Sequence, residues 1–488
     1  MDFQREIARR IVIGLPPEGL GAEGERAFAS SPPAGVILFR RDFADLEDLR
    51  RLTSRLRELA RPARILIAMD EEGGFVSQLQ GLLETPPNAA LLARGAEPGD
   101  LEWIARVTAG RLRALGVDWP LAPVADVNAL PANPVIGPRA FGTEPASAAR
   151  AVAEAVRGFR AGGAACCLKH FPGHGSTGVD SHLALPVCDA DPATLEERDL
   201  APFRAGIAAG AHAVMTAHVL YPALDRDRPA TFSRAIVTDR LRRGLGFPGV
   251  VITDALEMKG ATGETRPFDA AARALAAGCD LLLFAHHDRT LPELRARLVT
   301  AAAEGRLEGA DFDAARARIE SLQRACPEPD ASELSRPLDS LTPPGWAERL
   351  EAIAARGLVV RGTLPREAAA RPWRIEEPEW PDGPGFRGCL ARAGLPLDRL
   401  VGGAGDPRAE TVGFVALRSR LPLAENEIER LRASCGARPT VLVGVQNDAF
   451  LDALPEAAVR ISAADGTPLT RRVVARAVAR AWREAGGA

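Results

Sequence analysis

Apolar runs of strand length alternate along this chain with stretches of helical spacing, and that alternation confines it to the β/α class. The runs are Gly35-Val-Ile-Leu-Phe39, Arg64-Ile-Leu-Ile-Ala-Met69, Gly116-Val-Asp-Trp119, Ala164-Ala-Cys-Cys-Leu168, Ala211-His-Ala-Val-Met215, Gly249-Val-Val-Ile-Thr253 and Cys279-Asp-Leu-Leu-Leu-Phe284. Strands this uniformly apolar suit a parallel sheet covered on both faces. Amphipathic segments at 45–59, 101–115, 147–161 and 268–277 supply covering helices.

Polar residues at the ends of the runs select a closed barrel over an open sheet. Asp70 ends the second run, Lys169 and His170 end the fourth, His218 lies just beyond the fifth, Asp254 ends the sixth and His286 follows the seventh. In a (β/α)8 barrel all strand carboxyl ends converge on one mouth, so these residues are expected to share a pocket. A dinucleotide fold is set aside, because the Gly-Gly pairs at Gly73 and Gly402 lack G-x-G-x-x-G spacing.

At 488 residues the chain exceeds one typical domain. Five prolines between Cys326 and Gly345 read as a linker. The expected organisation is a TIM-like barrel over 1–325, a linker over 326–345 and a smaller α/β sandwich domain over 346–488. Within the last, 346–356 reads as helix, and Thr411-Val-Gly-Phe-Val-Ala416 and Thr440-Val-Leu-Val-Gly-Val445 read as strands.

Sixty-one basic and 64 acidic side chains leave a net charge of −3, with no bulk excess to hold nucleic acid or an anionic membrane. No window of 18 apolar residues occurs, and the amino terminus has no apolar signal core, so a cytoplasmic location is expected. The seven cysteines are scattered without paired C-x-x-C spacing and read as reduced core residues. Only Lys169 and Lys259 are lysine. In a chain that otherwise uses Arg, Lys169 marks a place for a compact ammonium, whereas Lys259 has the plainer reading of packing beside a strand end.

The reactive residues are densest in Lys169-His-Phe-Pro-Gly-His-Gly-Ser-Thr-Gly-Val-Asp-Ser-His182, which holds three of seven histidines. Its proline and glycines make it a loop leaving a strand. Asp180 stands two residues from His182, close enough to fix the imidazole tautomer for general acid/base work. Zinc ligation by His170, His174 and His182 lacks an obvious fourth ligand, and His174, flanked by glycines, reads as a pin for the loop. Asp254 projects into the mouth, where a nucleophile could attack an electrophilic carbon; capping the next helix is its alternative. Asp70 could bind sugar hydroxyls, with an N-cap or a buried salt bridge as the alternative.

The stretch K-H-F-P-G-H-G-x(4)-D-S-H-x(3)-P, ending at Pro186, resembles the signature of glycoside hydrolase family 3, in its β-N-acetylglucosaminidase branch of bacterial cell-wall recycling. Gly35-Val-Ile-Leu-Phe39, Met69-Asp-Glu-Glu-Gly-Gly74, Gly137-Pro-Arg-Ala-Phe-Gly142, Met215-Thr-Ala-His-Val-Leu-Tyr-Pro222, Pro229-Ala-Thr-Phe-Ser233 and Gly249-Val-Val-Ile-Thr-Asp-Ala-Leu-Glu-Met258 follow in the family order. The resemblance implies a retaining, exo-acting hydrolase releasing β-linked N-acetylglucosamine from muropeptide or chitin-like fragments. Asp254 would form the covalent glycosyl-enzyme, and His182, oriented by Asp180, would serve as acid and then base. Asp70, Arg139, Lys169 and His170 match positions that hold the sugar, with no metal or organic cofactor required and a monomer or homodimer expected.

The family commonly reads E-G-G-R-V-x-R, but this chain has Glu72-Gly-Gly-Phe-Val-Ser-Gln78, so Phe75 and Gln78 replace arginines and an altered sugar site is expected. Three alternatives stay open: a β-glycosidase of other sugar preference, a glycoside phosphorylase, since a neutral base repels phosphate less than a carboxylate would, and a catalytically silent sugar-binding protein.

Overall fold

The computed structural model describes residues 2–262, 267–286, 291–307, 311–380, 382–395, 400–401, 411–419, 423–446 and 448–486. The chain forms two compact units. The first comprises Met1–Glu72, Gly99–Leu130 and Thr143–Pro343, and the second Gly73–Pro98, Pro131–Gly142 and Pro344–Ala488.

Eight parallel strands follow one another around the first unit: Ile11–Ile13, Gly35–Leu38, Leu66–Met69, Trp119–Pro120, Cys167–Phe171, Ala213–Thr216, Val250–Ala255 and Leu281–Phe284. The first pairs with the last, Val12 opposite Leu283. The fourth and fifth close the ring through a parallel bridge from Val124 to Lys169, with the Cys167 N–H donating to the Ala122 carbonyl at 2.8 Å. The sequence reading found seven of these strands and missed Ile11–Ile13, whose three residues are too few for a recognisable run.

The barrel interior is filled at a period of two, as the pleat requires. Leu66 and Ala68, Ala165 and Cys167, Val250 and Ile252, and Leu281 and Leu283 all belong to one buried cluster. Each fully buried aliphatic side chain contributes roughly 1.5–3 kcal/mol. Two residues beyond Ala68, Cys167 and Ile252 stand Asp70, Lys169 and Asp254, so the pattern that packs the core also carries these charged groups to the mouth.

Outside the strands, helix Leu46–Ala60 starts where the Asp45 carboxylate accepts the Asp48 N–H at 2.8 Å, and buries Leu49, Thr53, Leu56 and Ala60. On it, Arg57 pairs at 2.9 Å with fully buried Asp118, whose other oxygen accepts the Ile67 N–H at 2.8 Å. Burial pushes the Asp118 carboxyl up, and the Arg57 guanidinium opposes that. Arg57→Met would leave the carboxylate buried without its cation. We expect a loss of about 3–5 kcal/mol in urea unfolding, and a partial recovery when Asp118→Asn is added.

The proline-rich stretch read as a linker is instead packed onto the first unit. Asp330 caps a short helix, Ala331–Leu334, and Arg113 grips Glu333 with two bonds of 2.6 and 2.5 Å. Arg111 donates to the Leu341 carbonyl at 2.9 Å, and Leu341 is buried. Proline-spaced chain suits such short turns as well as it suits an extended linker.

The second unit holds a six-stranded sheet in the order Val359–Gly362, Val459–Ser462, Thr440–Gly444, Val412–Leu417, Trp373–Glu376 and Leu400–Val401. The first pair is antiparallel and the others parallel. Two separate apolar clusters show that it is covered on both faces. Phe414, Val441 and Ile461 pack with Phe386, Val474 and Trp482, while Val415 and Leu442 pack with Leu431, Phe450 and Leu454. Residues 73–98 group with this unit although they fall inside the expected barrel span. Asn88 bonds Asp465 and Ala464, and helix Ala89–Gly95 comes so close to helix Trp346–Gly357 that a Cβ on Gly95 would meet the Ile353 carbonyl at 1.9 Å.

Candidate active site

Lys169 organises the mouth. Its buried ammonium lies 2.6 Å from a carboxylate oxygen of Asp70 and 2.6 Å from one of Glu72. Three hydrogens on one compact nitrogen suit two acceptors and a third contact, which a planar guanidinium would not reproduce. Glu72 was not singled out from sequence, where its Gly-Gly neighbours drew attention instead.

His170 is held by Asp126. The Asp126 carboxylate lies 2.8 Å from His170 Nδ1, and it also accepts the backbone N–H groups of His170 and His174. Burial raises the Asp126 carboxyl, but His170 and His174 outweigh it and hold it below the usual range. Nδ1 thus carries the shared proton and the Nε2 nitrogen is left for other partners. Asp126 also escaped the sequence reading, which ended the third run at Trp119. The apolar chain continues through Leu121 and Val124 before reaching this carboxylate, a signal the intervening prolines obscured.

Asp254 sits near the end of the seventh barrel strand, its Oδ1 accepting the Ala255 N–H at 2.8 Å. Burial pushes its carboxyl up, while His170, His218, the Ala255 N–H and Lys169 push it down and prevail. The group is therefore an anion at neutral pH, in a place where few waters compete for its lone pairs. His218 does not join the reacting set: its Nε2 lies 3.0 Å from the Ala255 carbonyl and its Nδ1 2.8 Å from Thr231.

On the loop, His182 Nδ1 lies 2.7 Å from Asp180, which also accepts the His182 N–H at 2.8 Å. The imidazole is 62% exposed, so its Nε2 side is open. His174 is buried, with Nδ1 at 2.7 Å from Thr177 and Nε2 at 2.9 Å from Ser181, so both nitrogens are committed within the loop. These commitments and the Asp126 bond of His170 take the three histidines of the zinc reading into other hydrogen bonds. Among the described residues no group of three His, Cys, Asp or Glu side chains is arranged to hold a metal ion.

Burial pushes His174 down from its ordinary 6.5 to about 4. An unfolded chain therefore takes the proton first as pH falls below 6.5, and the stability it contributes is lost progressively towards pH 4. Over the full window that amounts to on the order of 3 kcal/mol. The expected observation is a urea midpoint that drops between pH 7 and pH 4.5, with a smaller drop in His174→Asn.

Arg139 lies on the short turn Gly137–Arg139, in a segment that groups with the second unit, and donates to the Val135 carbonyl at 3.1 Å. Lys259 opens a four-residue helix after the seventh strand, and its ammonium is exposed. His286 is exposed beside Arg41 at 3.3 Å. No described helix is long and apolar enough to cross a membrane.

A closed parallel barrel with a low-pKa carboxylate, an ammonium and imidazoles gathered at its strand ends defines a barrel enzyme acting on a polar, hydroxyl-rich substrate. Residues 23–322 match the Glycosyl hydrolase family 3 N terminal domain, and the chain belongs to that family of glycosidases. It is 40% identical over 341 residues to a beta-hexosaminidase of Chromobacterium violaceum, a match covering 67% of this chain and 94% of the relative. Among solved structures, a glycoside hydrolase family 3 beta-N-acetylglucosaminidase from Paenibacillus sp. str. FPU-7 superimposes with a TM-score of 0.85 at 27% identity, covering 99% and 97% of the two chains. NagZ from Neisseria gonorrhoeae gives 0.60 at 31% identity, covering 71% of this chain and 97% of its own.

Proposed function

We propose that the chain is a retaining, exo-acting β-N-acetylhexosaminidase that releases β-linked N-acetylglucosamine from muropeptide or chitin-like fragments. The observation that carries this reading is the ionised Asp254 carboxylate at the end of a barrel strand, combined with the Asp180–His182 pair on the loop after the fifth strand. The hexosaminidase names of the relatives support the choice of sugar.

In the first step the Asp254 carboxylate attacks the anomeric carbon while His182 Nε2–H protonates the departing oxygen. In the second, His182 takes a proton from water, and the hydroxide displaces Asp254 and restores the β configuration. Asp180 accepts from Nδ1 throughout, so it fixes the tautomer and steadies the imidazolium. Asp70, Lys169 and His170 bind the sugar hydroxyls, with Glu72 and Asp126 holding Lys169 and His170 in place. A role in peptidoglycan recycling in the cytoplasm, as a monomer or homodimer, belongs to the same proposal.

Release of aryl alcohol from an aryl N-acetyl-β-glucosaminide, measured beside the aryl β-glucoside with and without added phosphate, tests the reading. We expect at least a hundredfold preference for the acetamido sugar and no change with phosphate. Equal rates on both sugars would replace the proposed substrate with a broader β-glycoside, and phosphate acceleration would make the enzyme a phosphorylase.

A further inference from the structure

The second unit contains a polar hollow of its own, open to solvent. Its wall is made by Phe75 and Gln80 from the segment 73–98, Trp380 and Asp382, Arg418, and Gln446. The sequence pattern placed Phe75 at a sugar contact without giving that contact a location; here it lines this hollow.

Three observations point to a ligand site. Gln446 is more than nine-tenths buried and lines the hollow, and its carboxamide has no hydrogen-bond partner among the described residues. The carboxamide therefore turns its donors and its acceptor to the solvent of the hollow, where a polar ligand can pair with them. Beneath the wall, the fully buried Arg471 stacks on the Trp380 indole at 4.4 Å and donates to Asp382 at 2.9 Å, which fixes both of those side chains. Gln80 donates to the other Asp382 oxygen at 2.6 Å. Thirdly, the Arg418 guanidinium has no carboxylate partner among the described residues and lies 5.9 Å from the same indole.

The lining selects among ligand classes. A wholly apolar molecule would leave Gln446 and Arg418 unpaired. A phosphate or other dianion would meet Asp382 and Asp465, whose charges Arg471 and Arg418 only balance, so the lining has no excess positive charge to hold it. A pyranose offers one face of C–H groups for an indole and a rim of hydroxyls for a carboxamide and a guanidinium. We propose that the second unit binds a neutral saccharide residue in this hollow, stacked on Trp380 with hydroxyls paired to Gln446 and Arg418. The site lies wholly within the second unit and does not depend on the catalytic reading.

The test is calorimetric titration of the full chain with N-acetylglucosamine and with glucose, using inorganic phosphate as a separate competing probe. The expected wild-type result for N-acetylglucosamine is two sites, of which Gln446→Leu and Arg418→Ala weaken one by at least tenfold. Both variants should keep kcat/KM on the aryl N-acetyl-β-glucosaminide within about twofold, which shows that the fold and the barrel mouth are intact. Because Gln446→Leu nearly conserves volume, unchanged two-site binding in it would overturn the proposal. So would a single site in the wild type that Gln446→Leu and Arg418→Ala leave unchanged, or displacement by phosphate of the sugar that those variants weaken. Failure of the catalytic reading would appear as absent turnover of the aryl glycoside in every chain, whatever the number of binding sites.

Discussion

Asp254→Asn is expected to lower turnover of an aryl N-acetyl-β-glucosaminide by on the order of 10⁴-fold or more while leaving the thermal unfolding curve almost unchanged. The amide oxygen can still accept the Ala255 N–H now bound at 2.8 Å, so the local backbone keeps its bond. What disappears is the negative charge that His170, His218 and Lys169 stabilise, and with it the nucleophile. Asp254→Ala gives the complementary result. The smaller residue leaves room for azide, whose attack on the same carbon from the same side would form an α-glycosyl azide in a single inversion. Recovery of rate with that product identifies Asp254 as the nucleophile. Rate recovered with β product, or ordinary activity in Asp254→Asn, would assign the displacement to another group.

The same strand pattern that makes Asp254 prominent also explains which parts of the molecule were legible beforehand. Barrel strands buried on both faces leave continuous apolar runs, and each run ends where the next inward position has to be polar, so Asp70, Lys169 and Asp254 could be read from the chain alone. Asp126 and Glu72 could not. Asp126 matters because it reaches His170 across 44 residues of sequence, and Glu72 because it reaches Lys169 across nearly a hundred, and no local period records such meetings. Domain membership failed for the same reason. The segment 73–98 is fixed to the second unit by contacts of Asn88 with Ala464 and Asp465, nearly four hundred residues away. A short strand was also lost: Ile11–Ile13 has too few residues to show a period, and only its neighbours in the ring define it. The proline-rich stretch after Cys326 shows the limit of composition, because Arg111 and Arg113 fasten a segment that reads as loose.

His182→Ala should separate leaving groups in a way that no structural role would. A natural alkoxide leaving group is strongly basic and departs only when protonated, so loss of the imidazole is expected to cost about 10²–10⁴-fold in kcat/KM on a disaccharide. A nitrophenolate is a stable anion and departs without help, so kcat/KM on that substrate should fall less than about tenfold. Its kcat should fall further, because water must then attack the glycosyl-enzyme without a base, and a burst of nitrophenol should precede the slow steady state. Asp180→Asn ought to follow the same ranking at smaller size. It keeps an acceptor oxygen 2.7 Å from Nδ1 but removes the charge that steadies the imidazolium. If both substrates lost rate equally, the loop histidine would be holding the sugar and the proton would come from elsewhere. The 62% exposure of His182 adds one further expectation, since a group this open to water exchanges protons with solvent freely. Small buffer acids should therefore restore part of the His182→Ala rate on the disaccharide, and in proportion to their concentration.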